Sequence, residues 1–374
     1  MDLNTPILIT GAGGFIGKNL VATLKTAGYT DLMLFERDDP PETLAEYAAR
    51  AGFVYHLAGI NRPKDPSEFY AGNAGLTETL LSLLDKAGNK APVLVTSSTQ
   101  AALDNDYGKS KAQAEQAIFA HGKATGAPVY VFRLPGVFGK WCRPNYNSVV
   151  ATFCHNSANG LSLSVRDPEY RLPLVYIDDV VASFVAALDG NCTREGDYCV
   201  IPVVHETTLG HLAETIEGFA KNRETLDVPD QTPGSLEQKL YSTWLSYLPA
   251  DRFSYPLNMH CDNRGSFTEF LHTPAHGQVS INISKPGIVK GNHWHHSKNE
   301  KFLVVKGTGV IRFRALDSTE VIEYHVSGDK LEVVDIPTGY THNIENVGED
   351  DMVTVMWANE VFDPDHPDTF FLPV

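Results

Sequence analysis

Ile7-Leu8-Ile9-Thr10-Gly11-Ala12-Gly13-Gly14-Phe15-Ile16-Gly17 sets an apolar run directly before a glycine-rich turn, and the turn directly before a helical pattern, Ile16–Ala27. In a strand-turn-helix unit the glycines have separate purposes. Gly11 permits the tight turn, Gly14 lets the backbone approach a pyrophosphate, and Gly17 lets the helix pack closely on the sheet. The helix N-terminus then presents unpaired N–H groups to anionic phosphates. A glycine-rich turn without a ligand is the competing reading of this stretch taken alone.

Working outward, apolar runs recur at Leu32–Phe35, Phe53–Leu57, Val93–Val95 and Val129–Phe132. Helical patterns lie between or after them, at Glu42–Ala51, Asn73–Ala87 and Tyr107–Thr125. Strands alternating with helices predict a parallel sheet covered on both faces. Strands this apolar are expected where both faces are buried.

Tyr107 and Lys111 stand four residues apart, on one face of the expected helix. A nearby ammonium lowers the pKa of a phenol, which would make Tyr107 a proton donor near neutrality. Ser98, just after the run Val93–Val95, is placed to hydrogen-bond a substrate carbonyl. In isolation a Tyr/Lys pair at this spacing is a solvated helix face. Following Thr96-Ser97-Ser98 by one βα unit, it acquires a chemical purpose.

These residues resemble the extended short-chain dehydrogenase/reductase superfamily over about residues 5–240. The resemblance implies a Rossmann-like, doubly wound parallel sheet and a catalytic set of Ser98, Tyr107 and Lys111. It implies NAD(P) binding at Gly11, Gly13, Gly14, Phe15, Ile16 and Gly17, with Tyr107 and Lys111 also touching the cofactor. His56-Leu57-Ala58-Gly59 is similar to the strand beside the nicotinamide ribose, which adds Leu57, Ala58 and Gly59. Leu134-Pro135-Gly136-Val137-Phe138-Gly139 and Tyr176-Ile177-Asp178-Asp179-Val180 are similar to landmarks flanking a nucleotide-sugar pocket. Glu36 stands where an acid would bind the 2′-hydroxyl of NAD. Arg37 follows it and matches a 2′-phosphate, so NADPH is favoured.

The strand-helix rhythm fails between residues 225 and 260, where prolines and glycine punctuate a stretch with one further expected helix, Leu236–Tyr247. A boundary near Ser254 predicts domains over residues 1–250 and 255–374. Beyond it, short alternating runs at Val279–Ile283, Lys301–Val305, Gly309–Phe313, Glu320–Val326, Leu331–Asp335 and Met352–Trp357 predict an antiparallel sandwich or barrel.

Gly287, His293, His295, Glu300 and Gly307 match the first cupin motif, and Pro337, Gly339, His342 and Asn346 match most of the second. The second motif's opening glycine, Gly328, lies further upstream than usual. Alternation puts His293 and His295 on one face of a strand. With Glu300 and His342 they form a ligand set of three imidazoles and a carboxylate that suits Zn²⁺, although Mn, Fe and Ni accept the same donors. His296 is out of phase and is expected to point outward. The pattern does not decide between a catalytic metal and one that only holds the β-barrel together.

The composition is that of an ordinary soluble globular protein. The chain has 374 residues, of which 43% are hydrophobic and 20% charged. A net charge of −16 argues against a nucleic-acid partner. Met1-Asp2-Leu3-Asn4 lacks a signal-peptide pattern, no apolar run predicts membrane insertion, and five cysteines lack metal or disulfide spacing. The expected location is the cytoplasm.

The combination of both halves, with Gly291-Asn292-His293-Trp294-His295-His296 and Asn299-Glu300-Lys301-Phe302, resembles the CapF-type enzymes of bacterial capsule and O-antigen synthesis over essentially the whole chain. The resemblance implies an α/β reductase followed by a cupin jelly roll, acting as a homodimer on a UDP-linked 4-keto-6-deoxy amino sugar. The cupin would epimerise C3 and the front domain would reduce the C4 ketone. A reductase whose zinc barrel serves only folding or dimerisation is the alternative. Lys290, Lys301 and Tyr340 lie near the metal motif without identifying a C3 base. A basic side chain of Lys140-Trp141-Cys142-Arg143 either meets the UDP phosphates or belongs to a solvated loop.

Overall fold

The computed structural model of the chain describes residues 1–273 and 277–374. It divides into two units, Met1–Glu217 with Gly234–Pro249, and Gly218–Pro233 with Ala250–Val374. The continuous front domain expected over residues 1–250 is thus interrupted. The cause is backbone pairing: His272 N–H donates to the Leu226 carbonyl at 2.8 Å, and Val228 N–H donates to the His272 carbonyl at 2.7 Å.

In the first unit β1 (Ile7–Thr10), β2 (Leu32–Phe35), β3 (Phe53–His56), β4 (Val93–Ser98) and β5 (Val129–Leu134) run parallel in the order β2-β1-β3-β4-β5. Beyond them, β6 (Gly136–Phe138) pairs in parallel with β7 (Arg171–Tyr176). The hairpin of β8 (Arg194–Glu195) and β9 (Tyr198–Cys199) extends the main sheet past β5, and β10 (His205–Thr208) pairs antiparallel with β7. The strand order reverses direction between β1 and β3. In open α/β sheets that switch point, at the carboxyl ends of the strands, is where ligands bind.

Helices cover both faces: α1 (Phe15–Thr26), α2 (Pro41–Arg50), α3 (Ser67–Phe69), α4 (Leu76–Ala87), α5 (Asp106–Thr125), α6 (Val149–Ala158) and α7 (Ile177–Ala187). Strand alternation sorts the core. Ile7 and Ile9 join Leu20 and Leu24 of α1 and Val180 and Phe184 of α7. Leu8 points the other way, to Leu44 of α2, Leu80 and Leu84 of α4 and Ile118 of α5. The helix expected from Asn73 starts earlier, at α3, and passes through a π-helical stretch, Tyr70–Gly75, before α4. Such stretches recur at functional sites. Among the described residues no helix is long and apolar enough to cross a membrane.

In the second unit the strands from residue 259 onward pair antiparallel in two sheets. One sheet has the order β11-β12-β13-β20-β15-β18: β11 (Met259–Asp262), β12 (Gly265–Thr273), β13 (Gly277–Ser284), β15 (Glu300–Lys306), β18 (Val333–Ile336) and β20 (Met352–Ala358). The other has the order β17-β16-β19-β14-β21: β14 (Val289–Trp294), β16 (Thr308–Ala315), β17 (Val321–Ser327), β19 (Tyr340–Asn346) and β21 (Phe370–Phe371). Phe302, Val304, Ile311, Phe313, Ile344 and Met352, drawn from both sheets, share one buried cluster. The antiparallel β unit predicted from short alternating runs is therefore present.

Candidate functional site

The glycine turn has the tight geometry that its sequence suggests. Gly11 adopts φ +70°, and a Cβ there would lie 2.9 Å from the Ala58 backbone. A Cβ on Gly17 would lie 2.3 Å from the Gly11 carbonyl oxygen. The loops after β1 and β3 therefore meet where only glycine fits. Gly11, Gly13, Gly14, Phe15, Ile16 and Gly17 line a cleft of about 710 Å³, together with Leu57 and Gly59. Ala58 faces a small internal cavity instead. Glu36 accepts the Gly13 N–H, whereas Arg37 is exposed and does not line the cleft.

Ser98, Tyr107 and Lys111 face the same cleft. Asn105 caps α5 by accepting the Gly108 N–H at 2.8 Å. Gly108 itself is dictated by space, since a Cβ would lie 2.3 Å from the Gln100 carbonyl oxygen. The expected acidification of Tyr107 is not found. Burial lifts its pKa above the ordinary phenol value, and a hydrogen bond with Ser98 only partly opposes this. Lys111 turns its ammonium to the Thr96 carbonyl at 3.1 Å. Its own pKa falls to about 8, through burial, with Glu115 opposing.

Around this set lie residues that the motifs did not mark. Asn73, in the π-helical stretch, accepts the Ile60 N–H at 3.0 Å and donates to Ser110 Oγ at 2.9 Å. Glu115, one further helical turn beyond Lys111, is buried. It takes Arg133 in a two-pronged pair at 2.8 and 2.6 Å, and the Ser97 hydroxyl at 2.5 Å. His56 links Thr10 and Thr77 at 2.8 and 2.9 Å. Thr77 donates its own proton to the Asn73 carbonyl, so His56 Nε2 is the donor and Nδ1 accepts from Thr10. In the loop Lys140-Trp141-Cys142-Arg143, Arg143 lines the cleft, while Lys140 pairs with Asp178 at 2.6 Å.

In the second unit one ligand atom each from His293, His295, Glu300 and His342 lies within 4.8 Å of the others. β14 supplies His293, His295 follows directly after the strand's end, β15 supplies Glu300, and β19 supplies His342. Glu300 Oε2 stands 3.4 Å from both His295 Nε2 and His342 Nε2. All three atoms are buried and lack a hydrogen-bond partner. Buried polar atoms left in this state fit a divalent cation. Burial, followed by the other two imidazoles, lowers His293 to about 4, keeping it neutral as a ligand must be. Burial works against Glu300, but the His295 and His342 imidazoles beside it lower it to about 2, leaving a carboxylate.

His296 is exposed beside Trp294 and Phe370. Lys301 is exposed and pairs with Asp335 at 2.5 Å, while Tyr340 packs against the core. Of the three side chains near the motif, Lys290 lines a cavity described below.

Comparison with known proteins gives a consistent picture. Residues 7–200 match the NAD dependent epimerase/dehydratase family, and residues 260–370 match the polysaccharide biosynthesis C-terminal domain. A UDP-2-acetamido-2,6-beta-L-arabino-hexul-4-ose reductase of Pseudomonas aeruginosa is 45% identical over 364 residues, 97% of each chain. The crystal structure of the capsular polysaccharide assembling protein CapF from Staphylococcus aureus matches with a TM-score of 0.93 and 51% identity, covering 99% of this chain and 100% of that one. UDP-glucose 4-epimerase of Thermotoga maritima has a TM-score of 0.54 at 21% identity, covers 65% of this chain and 98% of its own, and shares the fold alone.

Proposed function

The chain belongs to the NAD dependent epimerase/dehydratase family and, along nearly its full length, to the CapF-type capsular polysaccharide enzymes; on that premise we propose that it is a bifunctional nucleotide-sugar enzyme. The second unit, as a metal-binding cupin, would epimerise C3 of a UDP-2-acetamido-2,6-dideoxy-4-hexulose. The first would reduce the C4 ketone with NADPH. The product would be UDP-N-acetyl-6-deoxy-L-talosamine, on the route to UDP-N-acetyl-L-fucosamine for capsule or O-antigen. A cytoplasmic homodimer is the working form in this reading.

One observation carries the proposal: a Ser98–Tyr107–Lys111 cleft and a four-ligand cluster with orphaned buried atoms occur in one chain. Both chemistries depend on the same carbonyl. Inversion at C3 uses the acidity that the neighbouring ketone confers, so it must precede the step that removes the ketone.

NADPH would lie along the glycine loop from Gly11 to Gly17, with Leu57, Ala58 and Gly59 beside its nicotinamide ribose and Arg37 turning to its 2′-phosphate. It supplies the hydride. Tyr107 gives its proton to the C4 oxygen, so the ketone gains one hydride and one proton and becomes the alcohol. A phenol held above its ordinary pKa is fully protonated at neutral pH, as a donor must be. Ser98 orients the carbonyl, and Lys111 steadies the ribose and the phenolate left behind. His293, His295, Glu300 and His342 would hold zinc, which polarises a carbonyl as a Lewis acid.

The test is an NMR time course of the 4-keto sugar nucleotide in D₂O with the Tyr107→Phe variant. Reduction should be lost while deuterium still enters at C3. If no deuterium enters, the cupin is not an independent epimerase. Chelation that lowers thermal stability yet leaves the product's C3 configuration unchanged would instead favour a reductase with a structural metal.

A further inference from the structure

Two cations in the second unit share a cavity with only one acid. Lys290 of β14, Arg264 in the β11–β12 turn, His260, Asp262 and Asn282 border a cavity of about 410 Å³. Asp262 pairs with Arg264 through Nε and one terminal nitrogen at 2.9 and 2.6 Å, leaving the other terminal nitrogen available. Among the described residues Lys290 has no carboxylate within ion-pair distance. Its ammonium donates to two neutral oxygens, Asn282 Oδ1 at 2.6 Å and the Ile283 carbonyl at 3.0 Å. Burial, and then the Arg264 charge, hold Lys290 below its ordinary pKa, with Asp262 opposing. Like charges held close, one of them half-buried, destabilise the free protein, and an anion placed between them reverses that cost.

Register ties this cavity to the metal cluster. β14 pairs with β19 so that His293 faces His342 and Lys290 faces Ile344, across a bulge at Gly291 and Asn292. Ile344 is buried in the interior cluster, so Lys290 enters the same interior as the metal ligands. Two residues of β19 separate the rows, a rise of about 7 Å. That step is of the size needed to pass from the far side of a hexose to the phosphate on its C1.

We infer that this cavity is the diphosphate subsite for a sugar nucleotide whose sugar lies at His293, His295, Glu300 and His342, with Arg264 and Lys290 contacting the phosphate oxygens. This rests on reading that cluster as a site for a nucleotide-linked 4-keto sugar. An arginine edge and an ammonium offer complementary recognition of a diphosphate, one directional and one a point charge.

The experiment is calorimetric titration of UDP into the full-length, metal- and NADPH-loaded protein. Combining Arg264→Ser with Lys290→Met should lower the number of UDP molecules bound per chain by one, while metal content and NADPH binding stay intact. An unchanged number in that folded variant overturns the inference. If the double variant misfolds, Arg264→Ser alone, in an exposed turn, should weaken this site on the order of tenfold; unaltered affinity overturns it equally. Inorganic pyrophosphate should compete with UDP but bind more weakly. Pyrophosphate binding as tightly as UDP would assign the cavity to a free anion and overturn the sugar-nucleotide source. The UDP count is independent of turnover, so a wild-type protein that fails to exchange deuterium at C3 would defeat the epimerase reading alone.

Discussion

The backbone carbonyl of Asp368 accepts the Nδ1–H of His295 at 2.6 Å. A carbonyl only accepts, so the contact fixes the tautomer and turns the Nε2 lone pair toward Glu300. The Asp368 carboxylate in turn accepts backbone N–H groups from His296, Ser297 and Lys298 at 3.0, 2.9 and 2.9 Å. One residue thereby orients a candidate metal ligand and ties down the loop that follows it.

Asp368→Ala frees that loop and lets the carbonyl drift from His295. Metal affinity should fall by about 10–100-fold, as it does when the hydrogen-bond partner of a ligating imidazole is lost. Asp368→Asn retains one acceptor oxygen and should fall less. Competition with a chromophoric chelator measures both. Equal affinity in wild type and Asp368→Ala would show that the carboxylate positions nothing.

Glu115→Gln removes the charge that supports the Lys111 ammonium. The Lys111 pKa should drop further, moving the alkaline limb of the reductase pH profile to lower pH. Arg133 also loses its partner. Because Arg133 is 31% exposed it can rehydrate, so the stability loss should be about 1–3 kcal/mol. A profile that stays in place while stability falls would leave Glu115 a purely structural role.

Gly108→Ala presses a methyl against the Gln100 and Leu103 carbonyl oxygens, 2.3 and 2.6 Å from the Cβ position. Relief requires moving the loop after Ser98 away from α5, at a cost of about 1–3 kcal/mol. Reduction should fall at least tenfold while NADPH binding, followed by fluorescence, changes little. Full activity would mean that the Ser98–Tyr107 spacing tolerates displacement.

His56 gives the first unit an acid sensitivity. Burial, then the Lys111 charge, lowers its pKa to about 3, against about 6.5 unfolded. Between these values the unfolded chain binds the extra proton, so stability is full above about pH 6.5 and declines as pH falls toward 3. The slope approaches about 1.4 kcal/mol per pH unit. Urea midpoints near pH 7 and pH 5 should differ less for His56→Gln than for wild type. Parallel midpoint shifts would assign the acid sensitivity elsewhere.

The parts legible in the sequence were those with a local signature. β1 through β5 are apolar runs, and the glycine turn sits where Gly11 and Gly17 have no room for a side chain. The clustered residues His293, His295, Glu300 and His342 follow fixed offsets. β19 and the full extent of β14 escaped the reading of apolar runs, although they carry His342 and His293 and the histidine spacing already put His293 on a strand. Val289-Lys290-Gly291-Asn292-His293-Trp294 contains a bulge and mostly polar residues, so period-two alternation is lost. Glu115 was readable in principle, one helical turn after Lys111. Asp368 was not, because its contacts to residues 295–298 span about seventy positions of sequence and no motif marks it. The Tyr107 pKa was misread because adjacency to Lys111 was weighed without burial, which raises it against the Ser98 hydrogen bond.

The return of residues 218–233 to the second unit bears on how such a protein can be divided or exchanged. No single cleavage of the main chain yields both units whole. A chain stopped near residue 250 would carry away the Leu226–Val228 partner of His272, leaving β12 with an unsatisfied edge. A graft that took only residues 255–374 would inherit the same exposed edge. Recombination that respects the fold must therefore transfer two non-adjacent pieces of coding sequence together, which favours inheritance of the two units as a single block.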